Sequence, residues 1–146
     1  MKRIHIGLAV ADLERSVGFY SAMFGAGPSL RRDDYAKWQL EDPRVNFSIT
    51  TRCSADGKVH FGIQVDDAAE LAEAGARLEA AGQQVAHEPE TTCCYHNSSK
   101  TWARDPEAFH WETFVTSGVA EEFGGNSVPE LGAEAPAAPG TGCCGR

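Results

Sequence analysis

Apolar and polar residues alternate over residues 5–12 and again over 60–67, and the two runs match position for position. The first reads His5-Ile6-Gly7-Leu8-Ala9-Val10-Ala11-Asp12 and the second His60-Phe61-Gly62-Ile63-Gln64-Val65-Asp66-Asp67, an offset of 55 residues. Ile6, Leu8 and Val10 fall on one face of the first run, and Phe61, Ile63 and Val65 on one face of the second, which predicts two half-buried strands. The histidines then share the opposite face with Gly7 and Gly62, whose missing side chains leave space beside each imidazole. That face reads as the wall of a cavity, and the repetition reads as duplication of a supersecondary unit.

Each strand ends at an aspartate placed to cap a helix, its carboxylate accepting from free backbone N–H groups of the first turn. The spacing of Leu13, Val17, Tyr20 and Phe24 predicts a helix to about Phe24, stopped by Gly25 and by Gly27-Pro28. Leu71, Ala74, Leu78 and Ala81 predict a second over Ala68 to Ala81, with Gly82 as its stop. Short strand-like runs follow: Lys37 to Leu40 and Val45 to Thr50, then Val85 to His87, Lys100 to Arg104 and His110 to Val115. The expected order is β-α-β-β-β twice, an α+β fold of two modules over about 1–56 and 57–116 that form a cupped sheet. From Ser117 the composition turns to Gly, Ala, Pro and Glu without apolar periodicity, so 117–146 is expected to be a disordered tail.

Composition narrows the functional classes. A chain of 146 residues that is 42% hydrophobic can bury one core. Its formal charge of -8 argues against a surface that tracks nucleic-acid phosphates. No apolar run suggests a membrane span or a signal peptide, so a cytoplasmic protein acting on a small molecule is expected, as monomer or homodimer.

Five cysteines, as two adjacent pairs plus Cys53, suit reduced thiols better than a disulfide framework. Adjacent Cα atoms lie about 3.8 Å apart, whereas a disulfide wants roughly 4.4–6.8 Å. Cys93 and Cys94 are therefore better suited to gripping one soft atom, which requires residues 91–95 to turn rather than run as a flat strand. The competing reading is two small buried hydrophobes, which a polar Thr-, Asn- and Ser-rich neighbourhood disfavours. A free thiol ionises near 8.5, so Lys100 or a metal would have to supply thiolate at neutral pH. Cys53, in a Ser-Ala-Asp-Gly turn, reads as incidental.

On the last strand Glu112 alternates with Trp111 and Thr113, and shares the cavity face if Phe114 lies at its edge. A duplicated β-α-β-β-β fold would bring the first strand of each half and the last strand of the second around one centre, giving His5, His60 and Glu112. Two imidazoles and one carboxylate with open positions is the facial set favoured by non-haem Fe(II) oxygenases. A lone histidine is more often structural, but matched placement in two repeats shifts the balance to ligands. His110 is the rival ligand or an orienting neighbour; His87 and His96 read as surface or loop residues. Tyr35, Trp38, Phe47 and Tyr95 are candidates for an apolar pocket, with core packing the equal alternative.

The repeated units, the strand histidines and the ending Asp105-Pro106 followed by Trp111-Glu112 resemble the vicinal oxygen chelate superfamily of glyoxalases, extradiol dioxygenases and fosfomycin-resistance proteins, over about residues 1–116. Within it, Thr91-Thr92-Cys93-Cys94-Tyr95 and the cysteine-bearing tail resemble the carbon–arsenic lyases of arsenic resistance, with cadmium-induced proteins as relatives. The resemblance implies an Fe(II)- and O2-dependent dioxygenase that cleaves the C–As bond of trivalent organoarsenicals, such as methylarsenite and reduced aromatic arsenicals, and releases arsenite. It implies metal-ligand roles for His5, His60 and Glu112, and arsenic binding by Cys93 and Cys94. The tail pair Cys143-Cys144 is then a candidate for arsenic capture. Two departures stand out: Val45 to Thr51 offers only Asn46, Ser48, Thr50 and Thr51 where many relatives carry a fourth ligand, and Ala108 replaces the usual glycine after Asp-Pro. The alternatives are a non-catalytic thiol protein for cadmium or arsenite, and an extradiol-type dioxygenase, which needs no adjacent thiols.

Overall fold

A computed structural model describes residues 1–52, 60–125, 129 and 131. Cys53 and the Cys143-Cys144 pair lie outside the described residues. The order is β1 (Arg3–Ala9), α1 (Leu13–Phe24), β2 (Leu30–Arg32), β3 (Tyr35–Glu41), β4 (Arg44–Thr50), β5 (His60–Gln64), α2 (Ala68–Ala80), β6 (Val85–Arg104) and β7 (His110–Gly124). One seven-stranded cupped sheet runs β2-β3-β4-β1-β5-β7-β6.

The duplication governs this order. β1 pairs parallel with β4, as β5 does with β7, and the halves join where β1 and β5 run antiparallel. Both helices start as the aspartates require: Asp12 accepts from the Arg15 N–H at 3.0 Å and Asp67 from the Glu70 N–H at 2.8 Å. Gly25 ends α1 in the left-handed conformation, with φ 66°. The apolar stripe of α1 packs on one face of β3, β4 and β1 through Leu13, Val17, Trp38, Phe47 and Ile49, with Ile6, Leu8 and Val10 alongside. The opposite face of β1 is thereby left to His5 and Gly7.

The second half departs from expectation in two places. Val85 to His87 and Lys100 to Arg104 are the ends of one twenty-residue element, β6. Its ends face each other: His87 meets Thr101, Glu88 meets Trp102 and Thr92 meets Asn97, so the chain doubles back around residues 93–96. Cys94 has a φ of 56°, the left-handed conformation that brings two consecutive side chains toward one place. Residues 117–124, expected in the tail, instead belong to β7, which continues through Gly124 along β6. Composition hid this extension because backbone pairing, rather than an apolar stripe, holds it: residues 117–124 are all exposed or half-buried.

Candidate metal and thiol site

Three strands deliver three ligand atoms to one point. The Nε2 atoms of His5 and His60 lie 3.2 Å apart, and each is 3.4 Å from Glu112 Oε1. Register explains the convergence: His5 sits opposite Gly62, His60 opposite Gly7, and Gly62 opposite Glu112. A Cβ on Gly7 would lie 2.5 Å from the His60 ring, and one on Gly62 would lie 2.6 Å from Glu112 Cγ and closer still to its backbone oxygen. The glycines of the repeat are thus the space into which the ligand groups fold.

The electrostatics favour a cation at that point. His5 Nδ1 donates to the Asn46 carbonyl at 2.9 Å, which fixes its tautomer and leaves Nε2 as a bare acceptor. Burial lowers His5 to about 4 against the raising pull of Glu112, and also holds His60 below the usual histidine range, so both rings are neutral. Burial pushes the Glu112 carboxyl up, but Lys100, His5 and His60 outweigh it and hold the group ionised. One proton on His60 Nε2 satisfies only one of its two neighbours, whereas a divalent ion satisfies all three. Ligands about 2.1 Å from a common metal at right angles lie about 3 Å apart, close to the observed spacings. The donor set therefore fits a divalent metal, and it is complete within one chain.

Lys100 secures the remaining carboxylate oxygen, with Nζ 2.6 Å from Glu112 Oε2; both side chains are at most 5% exposed. Phe114 packs edge-on against His5 at a centroid distance of 5.1 Å and lines the cavity.

The trio opens into a cavity of about 40 Å³ whose wall also carries Cys93 and Cys94. Their sulfurs are 3.8 Å apart and unbridged. The hydrogen bond shared with Cys94, together with the charge of Lys100, draws Cys93 below the usual thiol range against burial, so Cys93 is the thiol of the pair that ionises first. The same shared bond and burial push Cys94 well above the usual thiol range.

Several expectations need correction. Tyr35 lines the cavity, but Trp38 and Phe47 belong to the core under α1, because alternation along β3 and β4 puts them on the sheet's other face. Tyr95 turns away to donate to Asp34 at 2.7 Å. His110 stands opposite Arg104 at the start of β7, outside the trio. His96 is a cavity residue, not a surface one: it is carried inward two positions after Cys94, while His87 contacts the exposed Glu79. Lys37, on β3, also lines the cavity and escapes the sequence reading, whereas Asn46 and Ser48, the weak fourth-ligand candidates of β4, line it beside the trio. Alternation of Tyr35, Lys37 and Gln39 against Ala36, Trp38 and Leu40 was the signal that could have found Lys37.

The model of the Glyoxalase/Bleomycin resistance protein/Dioxygenase superfamily matches residues 2–113. The chain belongs to this superfamily. Among its relatives, a trivalent organoarsenical cleaving enzyme of Bacillus sp. (strain MD1) is 42% identical over 84% of this chain and 78% of its own length. Another of that name, from Thermomonospora curvata, is 33% identical over 99% of this chain and 100% of its own. A cadmium-induced protein of Mycobacterium bovis is 32% identical over 85% and 82%. Two solved structures share the superfamily fold at low identity. A homoprotocatechuate 2,3-dioxygenase of Brevibacterium fuscum has a TM-score of 0.59 at 18% identity, over 82% of this chain and 38% of that one. A Mn(II)-bound glyoxalase of Novosphingobium aromaticivorans has 0.56 at 17%, over 84% and 43%. Among the described residues, no helix is long and apolar enough to cross a membrane.

Proposed function

We propose that this protein cleaves the C–As bond of trivalent organoarsenicals such as methylarsenite and reduced aromatic arsenicals, using Fe(II) and O2 and releasing arsenite. The observation that carries this reading is that a three-ligand metal trio and a reduced vicinal thiol pair open on one small cavity. The names of the organoarsenical-cleaving relatives agree with it. His5, His60 and Glu112 would hold the metal, and Fe(II) bound there would supply the chemistry that activates dioxygen.

The chain's own part is positioning. Trivalent arsenic is a soft centre, and Cys93 with Cys94 chelates it so that the carbon substituent faces the trio. Cys93, already partly thiolate, attacks first. Lys100 keeps Glu112 ionised and fixes one of its oxygens, so the other is presented to the metal. Fixing both partners in one cavity contributes several kcal/mol of the barrier, on the order of 7–11 in ideal cases.

The cadmium-induced relatives support a second reading, sequestration of a thiophilic ion without turnover. Two variants separate the readings. Cys93→Ser abolishes arsenical binding under either, whereas His60→Ala spares binding and removes only arsenite release. Loss of no activity in His60→Ala would discard the metal trio from the reaction, and full activity in Cys93→Ser on any substrate would discard the thiol grip.

A further inference from the structure

Two lysines line this cavity, and they are not equivalent. Lys100 has its charge committed to Glu112. Lys37, on β3 opposite Ser48, is 9% exposed, and among the described residues no ion pair includes it. Its Nζ lies 3.1 Å from Nε2 of His96, which lines the same cavity as the two cysteines. A buried lysine with a neutral imidazole for its hydrogen-bond partner, lining the same cavity as a protonated thiol, is placed to exchange a proton.

We propose that Lys37, positioned by His96, takes the proton of Cys94 as the second thiol closes on arsenic and passes it to the hydroxide that leaves. The proposal rests on the reading of Cys93 and Cys94 as the arsenic site. For an organoarsenous acid RAs(OH)2, closure breaks two As–O and two S–H bonds and forms two As–S and two O–H bonds. Arsenic stays trivalent, and nothing is oxidised or reduced. Cys93 enters as thiolate, and the hydroxide it displaces recovers from solvent the proton that this thiol had lost. Cys94 enters as the protonated thiol, because in the free pair the shared bond and burial keep its proton on; once Cys93 is bound to arsenic it no longer accepts that proton, so a second base is required, and Lys37 supplies it.

The surroundings fit the role. Burial, helped by the charge of Arg3, lowers Lys37 to about 8 against the opposing pull of Cys94, so free amine exists near neutral pH. Burial and the nearby charges of Lys37, Arg32 and Lys100 lower His96 to about 4, which keeps its ring neutral and able to accept from the lysine. The other ionisable groups acting on Cys94 are Cys93, Lys100 and Glu112. Tyr35 stays protonated beside the pair, because burial and the two thiols push its hydroxyl up.

The test uses the full chain and phenylarsine oxide as probe. Capture is followed from pH 6 to 9 by rapid quench with iodoacetamide and mass spectrometry of the peptide bearing Cys93 and Cys94, which excludes the other cysteines from the reading. Lys37→Met is expected to slow two-thiol capture at pH 7 by about a hundredfold, at the low end of general acid–base contributions, and to remove the rise in rate through the lysine's titration. Lys37→Arg is expected to be similarly slow, because a guanidinium keeps its proton. Should Lys37→Met fail to fold, Lys37→Arg decides alone. Wild-type rates in Lys37→Arg, or in a folded Lys37→Met, overturn the proposal while leaving the thiol grip intact. Undiminished two-point binding in Cys94→Ser would instead overturn the dithiol reading beneath it.

Discussion

Lys100→Met tests the electrostatics of the centre, because it removes one member of a buried ion pair while roughly keeping its volume. Lys100 is 5% and Glu112 2% exposed, and Nζ lies 2.6 Å from the carboxylate. Breaking such a pair and leaving the other charge uncompensated costs about 3–5 kcal/mol. With a urea m-value of about 2 kcal/mol/M for a domain of this size, the metal-free midpoint should fall by about 1.5–2.5 M. The sign of the pH dependence follows from Glu112, whose folded carboxyl is held below its unfolded value near 4.3. In the wild type that stabilisation is present above the unfolded value and lost as pH falls through the folded one. In the variant burial acts on Glu112 with less opposition and raises its carboxyl, so protonation sets in earlier and the deficit should shrink from pH 8 to pH 5. A divalent ion should shrink it too, since the metal replaces the missing positive charge. Urea titration of chelator-treated wild type and variant at both pH values measures this. A deficit under about 1 kcal/mol at pH 7, or one equal at pH 8 and pH 5, would refute the assignment of Lys100 as the charge that stabilises Glu112.

The two glycines beside the ligands should differ in cost. Gly62→Ala drives a Cβ into the backbone of β7 and should cost about 1–3 kcal/mol of stability with loss of metal binding, whereas Gly7→Ala meets only the movable His60 ring and should weaken metal binding with a smaller change in midpoint; isothermal titration with Co(II) and urea melts compare them. Cys93 should alkylate with a midpoint near pH 7 in a peptide-resolved iodoacetamide titration, and a midpoint near 8.5 would contradict the hydrogen bond from Cys94. Trp38→Ala should cost about 3–5 kcal/mol in thermal or urea melts, because the ring is fully buried under α1 and donates to the Ala26 carbonyl, while the spacing of the trio is left intact.

Much of this centre was legible in the chain, for identifiable reasons. His5 and His60 repeat with their glycines in a strand pattern, and Glu112 follows by alternation from a strand the duplication must place beside β5. Both helices, their aspartate caps and the Gly25 stop obey local rules that burial elsewhere does not override. The turn at Cys93-Cys94 followed from the pleat of a strand. What escaped depended on contacts distant in sequence. Lys37 meets His96 across 59 residues, and Trp38 was separated from Tyr35 only by knowing which face of β3 α1 covers. The extension of β7 through Gly124 depends on the length of β6, which no apolar periodicity in 117–124 records.

The most direct test is arsenic speciation after mixing Fe(II)-loaded protein with methylarsenite, once in air and once under nitrogen. Arsenite in the aerobic tube alone, with none from the His60→Ala protein, is the predicted result. Methylarsenite remaining protein-bound and intact in both tubes would contradict catalysis at this centre and leave sequestration by Cys93 and Cys94 as the function.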